Sequence, residues 1–247
     1  KMDGVSTAAI TTHETAAITA FLWMQLVGLV AWIGIWQNRR LQHIPTSTVV
    51  AVVGLSVVTV ALMGQAASIG GEIRHPEIIV EGHAPAAEAG TWGILTGAQI
   101  ESTVKQIPWV WPALETLHFL GLCLSLGVLI AMTLRVLGVM KGMSFAAMHR
   151  FLPWGILGFA LNLVTGMGFF VAASNQYTEN MAFYWKVVAL VLAGGHFLYM
   201  TVVDRLWALQ AGQDASGVDR TIAVIGLASW VGIIFWGRML PFLGNAF

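Results

Sequence analysis

Two histidines stand inside long apolar runs, His118 in PALETLHFLG and His196 in AGGHFLYM. Hydrocarbon solvates ionisable groups poorly, so such groups inside membrane-type helices mark function by default. Imidazole is a recurrent axial ligand of haem iron and a good ligand for copper and zinc. Counted inward from the same side of a bilayer, the two residues differ in depth by about 9 Å, at about 1.5 Å per residue. A helix tilt of about 20° absorbs much of that difference. The two imidazoles can therefore face one another across a bundle core and hold one b-type haem from both faces, as bundle cores commonly do with cofactors. Gly121 after His118 and Gly194-Gly195 before His196 leave room for a macrocycle.

His13, in TTHET, and His75, in GEIRHPEI, form a second candidate group. They offer a second haem or a metal ion, or a partner for His118. The metal-ligand set is thus His118, His196, His13 and His75. Arg74, beside His75, and Arg238, near the C-terminal end, are candidate partners for haem propionates through bidentate contacts. His43, His83 and His149 fall in loops or at helix ends and read as ordinary loop histidines. Glu115 and His118 make a Glu-x-x-His pair on one helical face. Di-iron bundles need that motif twice, and no second copy lies inside a span here. Glu115 is therefore read as orienting His118 or relaying protons. No P-loop, Rossmann glycine pattern or nucleophile elbow stands in a suitable context. The lone Cys123 excludes an intrachain disulfide and a cysteine-ligated cluster within the chain.

The elements that must hold these groups follow from composition. Of 247 residues, 57% are hydrophobic and 10% charged, where a soluble domain carries about 25% charged. A soluble fold needs polar cover for its surface; lipid removes that need. The 12 basic and 12 acidic residues balance, and no basic excess suggests nucleic acid. Six segments reach the roughly 20 apolar residues a membrane helix requires: about Thr15–Trp36, Thr46–Gln65, Trp111–Leu134, Leu152–Ala173, Phe183–Ala208 and Thr221–Pro241. The expected fold is an all-α polytopic membrane helix bundle of six transmembrane helices. Residues 1–68 form a two-helix hairpin, 69–110 an outer-face loop with a short surface helix near 99–107, and 111–247 a four-helix unit. Gly158, Asn162 and Gly166 form a packing seam on its second helix. The opening Lys1-Met2-Asp3-Gly4 implies that residue 1 is not the start of the gene product.

Short cytoplasmic loops are enriched in Lys and Arg. Arg39, Arg40, Arg135, Lys141, Arg150, Arg205 and Arg220 share one side in three short loops. Both termini are then expected outside, on the periplasmic side of a bacterial inner membrane. Trp36, Trp154 and Trp207 near the inner ends, and Trp109, Trp111, Trp185 and Trp236 near the outer ends, suit interfacial belts.

From Trp111 to about Tyr199 the chain has a recurring set of positions. They are His118 with Gly121, Leu134-Arg135 with Gly138, Leu152-Pro153, Thr165-Gly166, and Phe183 with Lys186. This segment resembles an uncharacterised family of bacterial four-helix membrane proteins, which implies a four-helix membrane unit and carries no activity with it. More loosely, the whole is similar to membrane cytochromes b.

The function expected is a b-type haem membrane subunit, with one or two haems, moving electrons within a respiratory or other redox complex. It is at most an electron-transfer subunit of an oxidoreductase. Its partners are the lipid bilayer, other membrane or periplasmic redox subunits, and a quinone. Two alternatives stand beside it. One is a non-redox anchoring subunit of a larger assembly. The other is a metal-handling protein or transporter in which His13, His75 and His83 collect an ion such as copper.

Overall fold

The computed structural model describes residues 6–75, 88, 90–93 and 95–244, so His83 lies outside the described residues. Every regular element among them is helical. Six helices are long and apolar enough to cross a membrane: α1 (Thr7–Leu41), α2 (Thr46–Arg74), α4 (Val110–Leu137), α5 (Leu152–Ala172), α7 (Met181–Val202) and α9 (Gly217–Leu243). Three shorter helices join them: α3 (Gly97–Gln106), α6 (Ser174–Thr178) and α8 (Asp204–Trp207), with a 3₁₀ turn at Phe145–Arg150.

The boundaries have local causes. α1 begins before the apolar run, within a threonine-rich stretch. Thr11, Thr12, Thr15 and Thr19 each donate to the carbonyl four residues earlier, which satisfies their hydroxyls inside the helix. α4 stops at Gly138, whose φ of 90° ends the helix as Val139 N–H donates to the Leu134 carbonyl at 3.0 Å. α7 was expected to run to Ala208 and instead ends at Val202. Val203 is extended, and Arg39 donates to the exposed Val202 carbonyl at 2.8 Å while pairing with Asp204 at 2.6 Å. A cation over the last carbonyls favours that early stop. α3 covers the surface helix expected near 99–107; Thr96 and Gln99 close a reciprocal capping box at its start.

The long helices pack as three antiparallel pairs, α1–α2, α4–α5 and α7–α9. α4 also packs against α9, and α1 against α5. The expected seam on α5 is a close approach. A Cβ at Gly158 would lie 2.6 Å from the Gly121 carbonyl oxygen of α4, and one at Gly121 would lie 2.6 Å from Asn162 Nδ2. Asn162 donates to the Gly158 carbonyl at 2.9 Å, so its amide is satisfied within the seam. Val50, Val57 and Val60 of α2 stay more than 60% exposed, a face suited to lipid contact.

One end of the bundle carries the short basic loops and is densely filled. Leu129, Met132, Phe145, Leu152, Phe197 and Met200 form a buried core there. Arg135 is fully buried beneath it. Its Nη2 donates to the Gln210 and Gln213 carbonyls at 2.7 and 3.2 Å, and its Nε to the Met143 carbonyl.

Candidate functional site

The opposite half of the four-helix unit is hollow. A cavity of about 1080 Å³ opens between α4, α5, α7 and α9, edged by α3, α6 and α1. Phe119, Phe169, Phe170, Leu190, Trp230 and Ile233 give it an apolar wall. Glu115, His118, Lys186 and Arg238 reach the same cavity from three different helices.

His118 is held in one orientation. Its Nδ1 lies 2.8 Å from the Thr165 hydroxyl of α5. That hydroxyl lies 2.7 Å from the Leu161 carbonyl, which can only accept. Thr165 therefore donates to Leu161 and accepts from Nδ1–H. The proton sits on Nδ1, and Nε2 keeps a free lone pair with no protein partner among the described residues. Gly166 packs beside the ring, and a Cβ there would make ordinary contact with its Cε1 at 3.7 Å. An oxygen bonded to one ring nitrogen fixes the tautomer and leaves the other nitrogen as the one that can accept or ligate.

Lys186 stands on the first turns of α7 and makes no hydrogen bond or ion pair with any described residue. It lies against Gly237 of α9, whose Cβ position is 3.6 Å from Nζ. A cation in an apolar wall is costly without an anion, so this cavity suits an occupant with an acidic group. Arg238 adds a second cation and lies 5.8 Å from the Phe242 ring centroid. Trp111 Nε1 donates to Glu115 at 3.2 Å. Tyr177, on α6, is pushed up to about 12, first by burial and then by the Glu115 carboxylate, and so stays a neutral phenol.

His196 does not line the cavity. It is buried toward the basic end, with its ring pressed on Gly226 of α9. Neither ring nitrogen has a hydrogen-bond partner among the described residues. His13 joins α1 to α2: its Nδ1 donates to the Ala66 carbonyl at 3.0 Å and its ring lies over Gly70. His75 is the exposed residue that ends α2, and Arg74 beside it is exposed. Neither lines the cavity. His43 is an exposed loop residue. His149 is more than a loop residue: its ring stacks on Trp36 at 5.3 Å and its Nε2 donates to the Trp36 carbonyl at 3.1 Å.

Three residues with structural roles at these sites were missed in sequence. Lys186 lies inside an expected span, and the rule that singles out His118 and His196 applies to it equally. Thr165, like Lys186, stands among the positions that carry the family resemblance, but nothing in the sequence pairs it with His118. Asp219 sits at the basic end, where it accepts from Arg205 at 2.8 Å, Tyr199 at 2.5 Å and Ser216 at 2.6 Å. The Ser216-Gly217-Val218-Asp219 stretch is a helix-start pattern, and Ser216 does cap α9. His118, Thr165-Gly166, Phe183 and Lys186, scattered over three helices in sequence, meet around one cavity.

No family model matches this chain, and neither the curated proteins nor the solved structures contain a significant match to it.

Proposed function

We propose that the cavity binds b-type haem and that the protein is an electron-transfer subunit of a membrane redox complex. The His118–Thr165–Leu161 chain carries this reading, because it leaves a fixed imidazole lone pair on a large apolar cavity. Haem bound there would supply one-electron redox chemistry. His118 would ligate through Nε2. Lys186 and Arg238 are the cations available for the two propionates, in place of Arg74, which lies elsewhere. The aromatic wall excludes water and lowers the local dielectric. A plain scaffold has no use for a lysine left unpaired in such a wall.

His196 is left out of the ligand set because it does not line the cavity. His13, with its proton fixed on Nδ1 by Ala66, keeps a lone pair at Nε2 and remains a candidate for a second haem or metal with His75 near the end of α2. With the basic loops in the cytoplasm, both termini and the cavity face the periplasmic side of a bacterial inner membrane. Electron exchange would then run to a periplasmic or membrane partner, or to a quinone.

The test is the absorption spectrum of the purified full chain, as isolated and after incubation with haem. A reduced haem b band that is lost in His118→Leu and kept in His196→Phe is expected. A folded protein that shows no band in either state overturns the reading.

A further inference from the structure

His196 has no part in the haem site, yet it is an ionisable group held in the middle of a span. Its surroundings form an ordered series. Along the α7–α9 seam, Lys186 lies against Gly237, Ala189 against Gly232 and His196 against Gly226. The series ends where Tyr199 donates to Asp219 at 2.5 Å, with Arg205 on the same carboxylate at 2.8 Å. Trp230, one turn above Gly226, lines the cavity, and its Nε1 is buried without a partner. Both nitrogens of His196 are likewise buried without a partner.

Glycine at 226 is what admits an imidazole here, since a side chain at that position would occupy the ring's place. A residue present for packing alone would be apolar, because unsatisfied polar atoms in a buried seam are rare and call for an explanation. Water bridging such atoms is the usual one. The axial steps suit that. Tyr199 and His196 are three residues apart, about 4.5 Å along the helix, and Gly226 and Trp230 four, about 6 Å. α5 holds no ionisable residue. The ionisable groups of α4 are Glu115 and His118 at the cavity, the exposed Cys123, and Arg135 at the basic end. Those of α9 are Asp219, Arg220 and Arg238, and those of α7 are Tyr184, Lys186, His196 and Tyr199. His196 is thus the only buried ionisable side chain of these four helices between the cavity and the Asp219 cluster.

We propose that the α7–α9 seam is a proton path, with His196 relaying protons between the Tyr199–Asp219–Arg205 cluster at the basic end and the cavity that contains His118. An imidazole accepts a proton at one nitrogen and releases one from the other, and tautomer exchange through water returns it to its starting form. No oxidant or reductant is consumed, and the driving force is the transmembrane potential. The path stands whatever occupies the cavity.

The experiment uses the full chain in liposomes that hold a pH-sensitive dye, with a potassium diffusion potential set by valinomycin. Proton entry faster than in protein-free vesicles is expected. It should fall at least about tenfold in His196→Phe and in Tyr199→Phe, the loss of a positioned proton-transfer group. Gel filtration selects folded samples, and Tyr199→Phe decides the matter if His196→Phe does not fold. A wild-type rate equal to that of protein-free vesicles, or an unchanged rate in the folded variants, overturns the path. The haem band of the same samples reports the haem reading separately, and both variants should keep it.

Discussion

His118 of α4 donates through Nδ1 to the Thr165 hydroxyl of α5 at 2.8 Å, and that hydroxyl in turn donates to the Leu161 carbonyl at 2.7 Å. The relay sets which imidazole nitrogen is free. Thr165→Val keeps the shape of the side chain and removes the acceptor. On the proposed haem reading it should weaken haem retention by about 10–100-fold, the usual cost of losing the group that orients a ligating histidine, while the helices stay folded. Titration of the apoprotein with haem measures it. Retention equal to wild type would show that the bond does not prepare a ligand.

Lys186 gives two effects of opposite sign. A lysine costs about 2.5–3.5 kcal/mol at the centre of a span and less toward its end, so Lys186→Met should stabilise the haem-free protein by roughly 1 kcal/mol. The same variant removes a cation from the cavity and should lower haem retention. Thermal unfolding in detergent and haem titration read the two effects side by side. A variant that is destabilised and unchanged in haem retention would make Lys186 a structural residue.

The spans were legible because an apolar run of that length has few other uses, and the six expected segments lie within or close to the six long helices. The end of α7 was read late, because the apolar Leu206-Trp207-Ala208 beyond the charged Asp204-Arg205 pair prolongs the run in sequence. Arg39, from a helix more than 160 residues away, fixes the stop by donating to the Val202 carbonyl and pairing with Asp204. Counting residues gave His118 and His196 comparable depths but said nothing of which helices are neighbours. α4 packs chiefly on α5 and α9, and α7 on α9. His118 therefore meets Thr165, while His196 meets Gly226. Partners of that kind are set by packing, which periodicity does not encode.

The α4–α5 seam depends on two missing side chains. A Cβ at Gly158 would lie 2.6 Å from the Gly121 carbonyl oxygen and 2.7 Å from Ser125 N, both backbone atoms that cannot step aside. Gly158→Ala should cost about 1–3 kcal/mol by overpacking and shift the wall that carries His118. Gly127, on the same α4, has nothing within 4 Å of its Cβ position. Gly127→Ala is the control and should be near neutral in the same thermal unfolding experiment.

Asp214 ties two basic-end loops, pairing with Lys141 at 2.7 Å and with Arg220. The Lys141 ammonium holds its carboxyl below the ordinary value of 3.8. A carboxylate whose folded value is depressed adds stability above its unfolded value and loses it as pH falls through the folded one. Wild type should therefore melt slightly above Asp214→Asn at neutral pH, and the gap should close as pH drops below 3.8. Added salt should narrow it too, because the groups are exposed. A gap that is constant with pH would assign the difference to something other than this charge.

Arg135 secures the same end from inside. It is fully buried, and its guanidinium serves the carbonyls of Met143, Gln210 and Gln213. No ion pair to a carboxylate forms among the described residues, so its role is to donate to the carbonyls of two loops, which no helix pairs. Arg135→Met fills the space with an apolar chain and strands those carbonyls, at on the order of 1–3 kcal/mol for each buried group left without a donor. Arg135→Lys keeps the charge but loses the planar fork, and should fall between the two. Thermal unfolding gives the ranking. Proteolysis of the loops should follow it, because the Gln210–Gln213 turn leads directly into Ser216 and Asp219 at the start of α9. A proton path along the α7–α9 seam would then lose its basic-end mouth in Arg135→Met, with proton entry in liposomes falling while His118 and its cavity remain in place. Proton entry that survives a loosened loop would put the mouth elsewhere.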